Sequence, residues 1–352
     1  MLVNYPLSAA QENNWVHECI YEAISLIVNN LNSATAIPDW PDILPPIHRD
    51  KLTSRKTIKG LLANFENIAV QLTEEQRNKA LLLIDSQNNI AGLLAGEVTP
   101  LAVEDELNPI IDCLKLVFIE GFRLLKETGS RDAHYKAIYD SLAVKTCPFC
   151  GYEPFEAPDQ KREDEDHYLL KDKYVTSAAN FFNLVPMGGK CNKSYKLQQD
   201  LLFKNNIRRK ALNPYGTINA EISLINTNPI TLLDDKPNWN ISISPDIEET
   251  RTWNEVFSIE QRLKETVLSP NYEAVLSETS DFLQCLDLDR QSTDAQVLLG
   301  LKKFERHKKR NPEQGLGYLK DKVVGMLRFH FESGNPLVVA LIRDALPQIE
   351  AA

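Results

Sequence analysis

Cys147-Pro-Phe-Cys150-Gly151 reads as a metal knuckle, a tight turn that aims two thiolates at one centre. Cys191 supplies a third sulfur downstream. Three residues before it, where a fourth is expected, stands Gly188. Between these cysteines lies Asp166-His167, two adjacent side chains that diverge in an extended segment. The carboxylate suits a hard divalent cation such as Mg²⁺ or Mn²⁺. The imidazole, with an ordinary pKa near 6.5, can take a proton from water at neutral pH. Asn192 offers a second oxygen if the chain folds back. Across residues 187–210 come seven cations, Lys190, Lys193, Lys196, Lys204, Arg208, Arg209 and Lys210, against the single acid Asp200. A base for water, a cation on phosphoryl oxygens and local positive charge together suit phosphodiester hydrolysis.

Cys-x-x-Cys, Asp166-His167-Tyr-Leu, Asn183-Leu-Val-Pro186 and Cys191-Asn-Lys193, in this order, resemble an HNH endonuclease over residues 147–214. The resemblance implies a ββα-metal, treble-clef-like unit that cuts DNA to leave 5′-phosphate and 3′-hydroxyl ends. It implies His167 as the general base and Asn183 as the residue that holds the loop and orients His167. Asp166 and Asn192 would hold one divalent cation against the scissile phosphate. Cys147, Cys150 and Cys191 would hold a structural zinc, with its fourth ligand drawn from an acid among Glu163–Glu165 or from Cys113, the alternative being a knuckle that is packed without zinc. Gly188 is the departure from the pattern, and it bears on the zinc alone. Lys190, Lys193, Lys196, Arg208 and Arg209 are the expected nucleic-acid contacts.

Blander readings stand beside these. Glu163 to Glu165 read as a solvated loop, and Asn192 as a helix N-cap that could also serve the metal. Lys302 to Arg310 reads as an exposed helix face with a lesser prospect of touching DNA. Cys19 and Cys285 read as core. His17, His48, His134, His307 and His330 show no ligand spacing and carry no assignment. A non-catalytic zinc-knuckle module, or the same chemistry on RNA or single-stranded DNA, are the competing functions.

The elements that must position these residues are mainly helical, so the expected class is α+β. Residues 1–145 form a helical region, 146–216 the nuclease core, and 217–352 a short hairpin followed by helices. Trp15 to Leu31 has helical apolar spacing, and Thr73-Glu-Glu-Gln76 is a capping box that opens a helix towards Ala95. Leu107–Lys126 is a further expected helix, and Ser130 caps the next one, towards Leu142. Asn219–Ile225 and Trp239–Ser244 alternate with period two, as a hairpin does. The 352 residues are 43% hydrophobic and 25% charged, an ordinary globular balance without a membrane-length apolar run. Six cysteines are too few for a disulfide scaffold, so a reducing cytoplasm is expected. A formal charge of −10 repels phosphates at long range. Targeting is therefore expected to involve a partner, such as an ATPase or sensor subunit of a bacterial anti-phage or restriction system, docked on the helical flanks.

Overall fold

The computed structural model describes residues 1–101, 108–163, 165–230, 237–312 and 315–348. The chain is mostly helical, with three small antiparallel sheets among the described residues, the α+β class. It divides into two compact units. One comprises Asn4–Leu142 and Glu156–Ile218; the other comprises Met1–Val3, Ala143–Phe155 and Asn219–Ala352. Segment 156–218 therefore packs with the N-terminal helices, whereas the knuckle segment belongs with the C-terminal region.

In the first unit the Trp15–Asn32 helix buries Val16, Cys19, Ile20, Ala23, Ile24 and Ile27, one face at three- and four-residue intervals. This face meets the helices Lys56–Val70 and Asn108–Glu127. Leu107, the expected start of the latter, lies outside the described residues. Gly121 sits where its backbone closely approaches two neighbours: a Cβ there would lie 2.6 Å from Ile20 Cδ1 and 2.9 Å from Ala179 Cβ. The capping box at Thr73 forms with Gln76 as expected. Its helix, however, ends at Asn88, because the Asn89 side chain accepts from Gly92 N and starts a separate turn, Ile90–Ala95. The Ser130–Ser141 helix is capped differently from expectation. Gly129 is its N-cap, and the Ser130 hydroxyl instead accepts from the Trp15 indole at 3.1 Å.

Two antiparallel strands follow. β1 (Glu165–His167) pairs with β2 (Leu184–Pro186), placing Asp166 opposite Val185 and His167 opposite Leu184. The connection between them is pinned from the N-terminal helices. Gln87 Oε1 accepts from Thr176 N and Oγ1, each at 3.0 Å, and Asn14 Oδ1 accepts from Phe181 N at 2.9 Å. After β2 the chain turns into a six-residue π-helical segment, Cys191–Lys196, in which Leu197 N donates to Asn192 O. A two-residue hairpin closes the unit: β3 (Phe203–Lys204) with β4 (Ile207–Arg208).

In the second unit the knuckle turn closes by a Gly151 N to Cys147 O bond of 2.8 Å. Gly151 adopts φ +80°, a left-handed conformation that favours glycine. Arg262, almost fully buried, donates to Glu153 at 2.6 Å and to the Tyr152 hydroxyl at 3.0 Å, which ties the turn to its helical neighbours. The expected hairpin forms as β5 (Glu221–Ser223) with β6 (Ser242–Ser244). Beyond it the helix Asp294–Arg310 packs Val297, Gly300, Leu301 and Phe304 towards its neighbours, chiefly Lys320–Glu332. Cys285 is exposed at a helix C-terminus, because the helix ends there and turns it outward from the expected core. Among the described residues, no helix is long and apolar enough to cross a membrane.

Candidate active site

Alternation along β1 sends Glu165 and His167 to one face and Asp166 to the other. The His167 ring packs on Phe122, with centroids 4.6 Å apart. Its Nε2 lies 3.0 Å from the Ala178 carbonyl oxygen. A carbonyl only accepts, so Nε2 carries the proton and Nδ1 is the basic nitrogen. Burial holds this imidazole down at about 4, so it is neutral across physiological pH.

Asn183 is fully buried and fixes the loop that supplies that carbonyl. Its Oδ1 accepts from Leu169 N at 2.6 Å, while Nδ2 donates to Leu169 O at 3.0 Å and Ser177 Oγ at 2.9 Å. These bonds cross the loop from the end of β1 to the start of β2, so the asparagine sets the spacing that His167 experiences.

On the other face, Asp166 Oδ2 sits 2.6 Å from Lys196 Nζ. Lys196 is 1% exposed and also donates to the His167 carbonyl at 2.9 Å. Burial pushes the Asp166 carboxyl up, and the Lys196 ammonium pulls it back. Oδ2 is buried and held by the Lys196 ammonium as a charge pair. Asn192 lies one turn before Lys196 on the same segment. A carboxylate and a carboxamide are donors of the kind that a hard divalent cation takes, and here the Lys196 ammonium holds the carboxylate. Asn192 is the second residue of its segment and Lys190 precedes it as N-cap, so the N-cap reading of Asn192 is corrected.

The expected phosphate contacts are not all available. Lys196 is committed to Asp166. Arg209 is 9% exposed and donates to Asp200 O at 2.6 Å and Leu201 O at 3.2 Å. Arg208 donates to the carbonyls of Leu202, Arg209, Leu93 and Val98. Lys196 and Arg209, both buried, are corrected from nucleic-acid contacts to structural cations, because a charge taken into a packed turn is retained only when matched by acceptors; Arg208 is half-buried among its carbonyl partners. Lys190 and Lys193 are exposed.

Cys147, Cys150 and Cys191 are each buried, and this group could hold a metal such as zinc. It is the only such group of His, Cys, Asp or Glu among the described residues. The expected fourth ligands are engaged elsewhere. Cys113 accepts from Asn64 Nδ2 at 3.4 Å, and Glu163 accepts from the Tyr135 hydroxyl at 2.5 Å. Asp164 lies outside the described residues.

Glu165 overturns the solvated-loop reading most sharply, since its carboxylate is fully buried. It takes Arg131 Nε on one oxygen and His134 Nδ1 on the other, each at 2.7 Å. His134 Nε2 meets the Tyr215 hydroxyl at 2.7 Å, and that hydroxyl donates to Leu184 O at 2.7 Å. Burial raises the Tyr215 phenol well above its usual range, so it stays protonated. This chain pins both strands of the hairpin from behind. The sequence carries no local signal for it, because its members are far apart along the chain and meet only through folding.

No family model matches the chain, and neither the curated proteins nor the solved structures contain a match.

Proposed function

We propose that the chain is an HNH-type endonuclease that hydrolyses DNA phosphodiester bonds. The observation that carries this reading is His167, held by the Ala178 carbonyl in the tautomer that leaves Nδ1 basic, on a loop fixed by Asn183. Nδ1 takes a proton from water as the oxygen attacks phosphorus. The bond from phosphorus to the 3′ oxygen breaks, and that oxygen takes a proton from a solvent water, leaving a 5′-phosphate and a 3′-hydroxyl. Asp166 and Asn192 would hold one divalent cation, which supplies positive charge to the phosphoryl oxygens. The cysteine group would hold a structural zinc that fixes the knuckle. The helical flanks would dock an ATPase or sensor partner, which co-purification of the untagged complex tests.

A second reading, a non-catalytic zinc-knuckle module, draws support from the cysteine group and from the Lys196 ammonium already matched to Asp166. Cleavage assays with wild type and His167→Ala separate the two. The nuclease loses metal-dependent cutting in the variant, whereas a variant that cuts as fast as wild type removes His167 from the chemistry.

A further inference from the structure

We propose that the solvent face of the Asp294–Arg310 helix is a docking surface for duplex DNA, engaging its phosphate backbone. The inference rests on the nucleic-acid reading above but not on cleavage. With Lys196, Arg208 and Arg209 committed to protein groups, segment 187–210 presents Lys190, Lys193, Lys204 and Lys210 at the surface, and a second basic surface would add to their grip on a strand.

Lys302, Lys303, Arg306, Lys309 and Arg310 are all exposed on this one helix. At about 100° per residue, Lys303, Arg306 and Arg310 fall within an arc of about 60°, flanked on one side by Lys302 and Lys309. The two acids of the helix, Asp294 and Glu305, lie on the far side. Each is paired there: Asp294 with Arg343 and Glu305 with Arg328, both at 2.5 Å. Lys302 pairs with Glu332, but among the described residues no carboxylate pairs with Lys303, Arg306, Lys309 or Arg310. Three cations in one arc, with the helix's own acids on its far side, are unexpected on a protein of charge −10. The helix dipole favours cations in the last turn only, so it does not account for Lys302 and Lys303, two turns earlier. From Lys303 to Arg310 the stripe rises about 10 Å, enough to face two or three successive phosphates. The neighbouring cleft of about 420 Å³ does not extend it, since Glu221 and Asp321 line it beside Lys308, Lys309, Lys320 and Lys322, and Glu278 and Asp321 pair with three of these lysines.

The test uses the full chain carrying His167→Ala, in EDTA, so that binding is read without cutting. Fluorescence anisotropy follows a labelled DNA duplex as salt is raised from about 50 to 200 mM. Adding Lys303→Ala, Arg306→Ala, Lys309→Ala and Arg310→Ala should weaken binding on the order of tenfold or more. It should also flatten the slope of log affinity on log salt by about 3 to 4, close to one for each phosphate that is no longer neutralised. Circular dichroism checks that these surface changes leave the fold intact. An unchanged slope and affinity would overturn the proposal, as would no DNA binding by the parent chain. Tighter binding of duplex RNA than of DNA, through the same four cations, would overturn the choice of DNA. None of these outcomes depends on whether His167 cuts.

Discussion

Lys196 offers a quantitative test of the site, because its ammonium and a metal ion would compete for one carboxylate. Its side chain is 1% exposed and that of Asp166 17%, with 2.6 Å between the charges. Removing one partner of a buried pair costs about 3 to 5 kcal/mol. Asp166 keeps some solvent and its carboxyl is already pushed up by burial, so part of the loss is relieved by protonation. Lys196→Met should therefore destabilise by about 3 kcal/mol in EDTA, a melting shift of roughly 6–12 °C for a domain of this size. Methionine keeps the stem's packing, which confines the change to charge. Mn²⁺ should then restore much of the loss, since the site no longer carries an ammonium beside the ligand. Binding at about a hundred times the dissociation constant supplies about 2.7 kcal/mol. Thermal denaturation of wild type, Lys196→Met and Lys196→Met with Asp166→Asn, each with EDTA or Mn²⁺, reads both effects. A variant as stable as wild type in EDTA would refute the energetic argument. A destabilised variant that Mn²⁺ does not rescue would refute Asp166 as a metal ligand.

Two further outcomes follow from groups outside that pair. His17 is buried against Phe118 with its imidazole lowered from 6.5 to about 4. The unfolded chain therefore binds the proton more readily, so the stability present above pH 6.5 declines as pH falls towards 4. Between pH 7 and 5 the loss is about 2 kcal/mol, read as a shift in urea midpoint. His17→Leu should remove that part of the pH dependence, and an unaltered profile would count against the buried neutral histidine. Purified protein should contain about one zinc per chain, and Cys191→Ser should lower that content when measured by elemental analysis. Full zinc retention in the variant would show that the third sulfur is not a ligand.

What was legible in the sequence is what short-range patterns encode. The Thr73 capping box, the apolar face from Trp15 and the β5–β6 hairpin all follow from residues close together in the chain. Asp166-His167 and the cysteines were visible by type and spacing, and all three of the cysteines are buried. Partners chosen by folding were not visible. Lys196, Arg208 and Arg209 look like a phosphate surface when charges are counted, yet each is turned inward to a carboxylate or carbonyls. Glu165 looks like one more acid in a solvated run, although it is the buried hub for Arg131 and His134. Charge counts along a chain cannot distinguish a solvated ion from one matched in the interior, because matching depends on distant residues. Cys285 failed for a related reason, since apolar neighbours in sequence do not fix which way a helix end faces.

The most direct test of the central claim is a plasmid-nicking assay of wild type and His167→Ala with Mg²⁺, Mn²⁺ or EDTA, repeated with any co-purifying partner. Wild type should nick with metal and not in EDTA, and the variant should lose on the order of a hundredfold or more of that activity. Equal metal-dependent nicking by both proteins would contradict that claim.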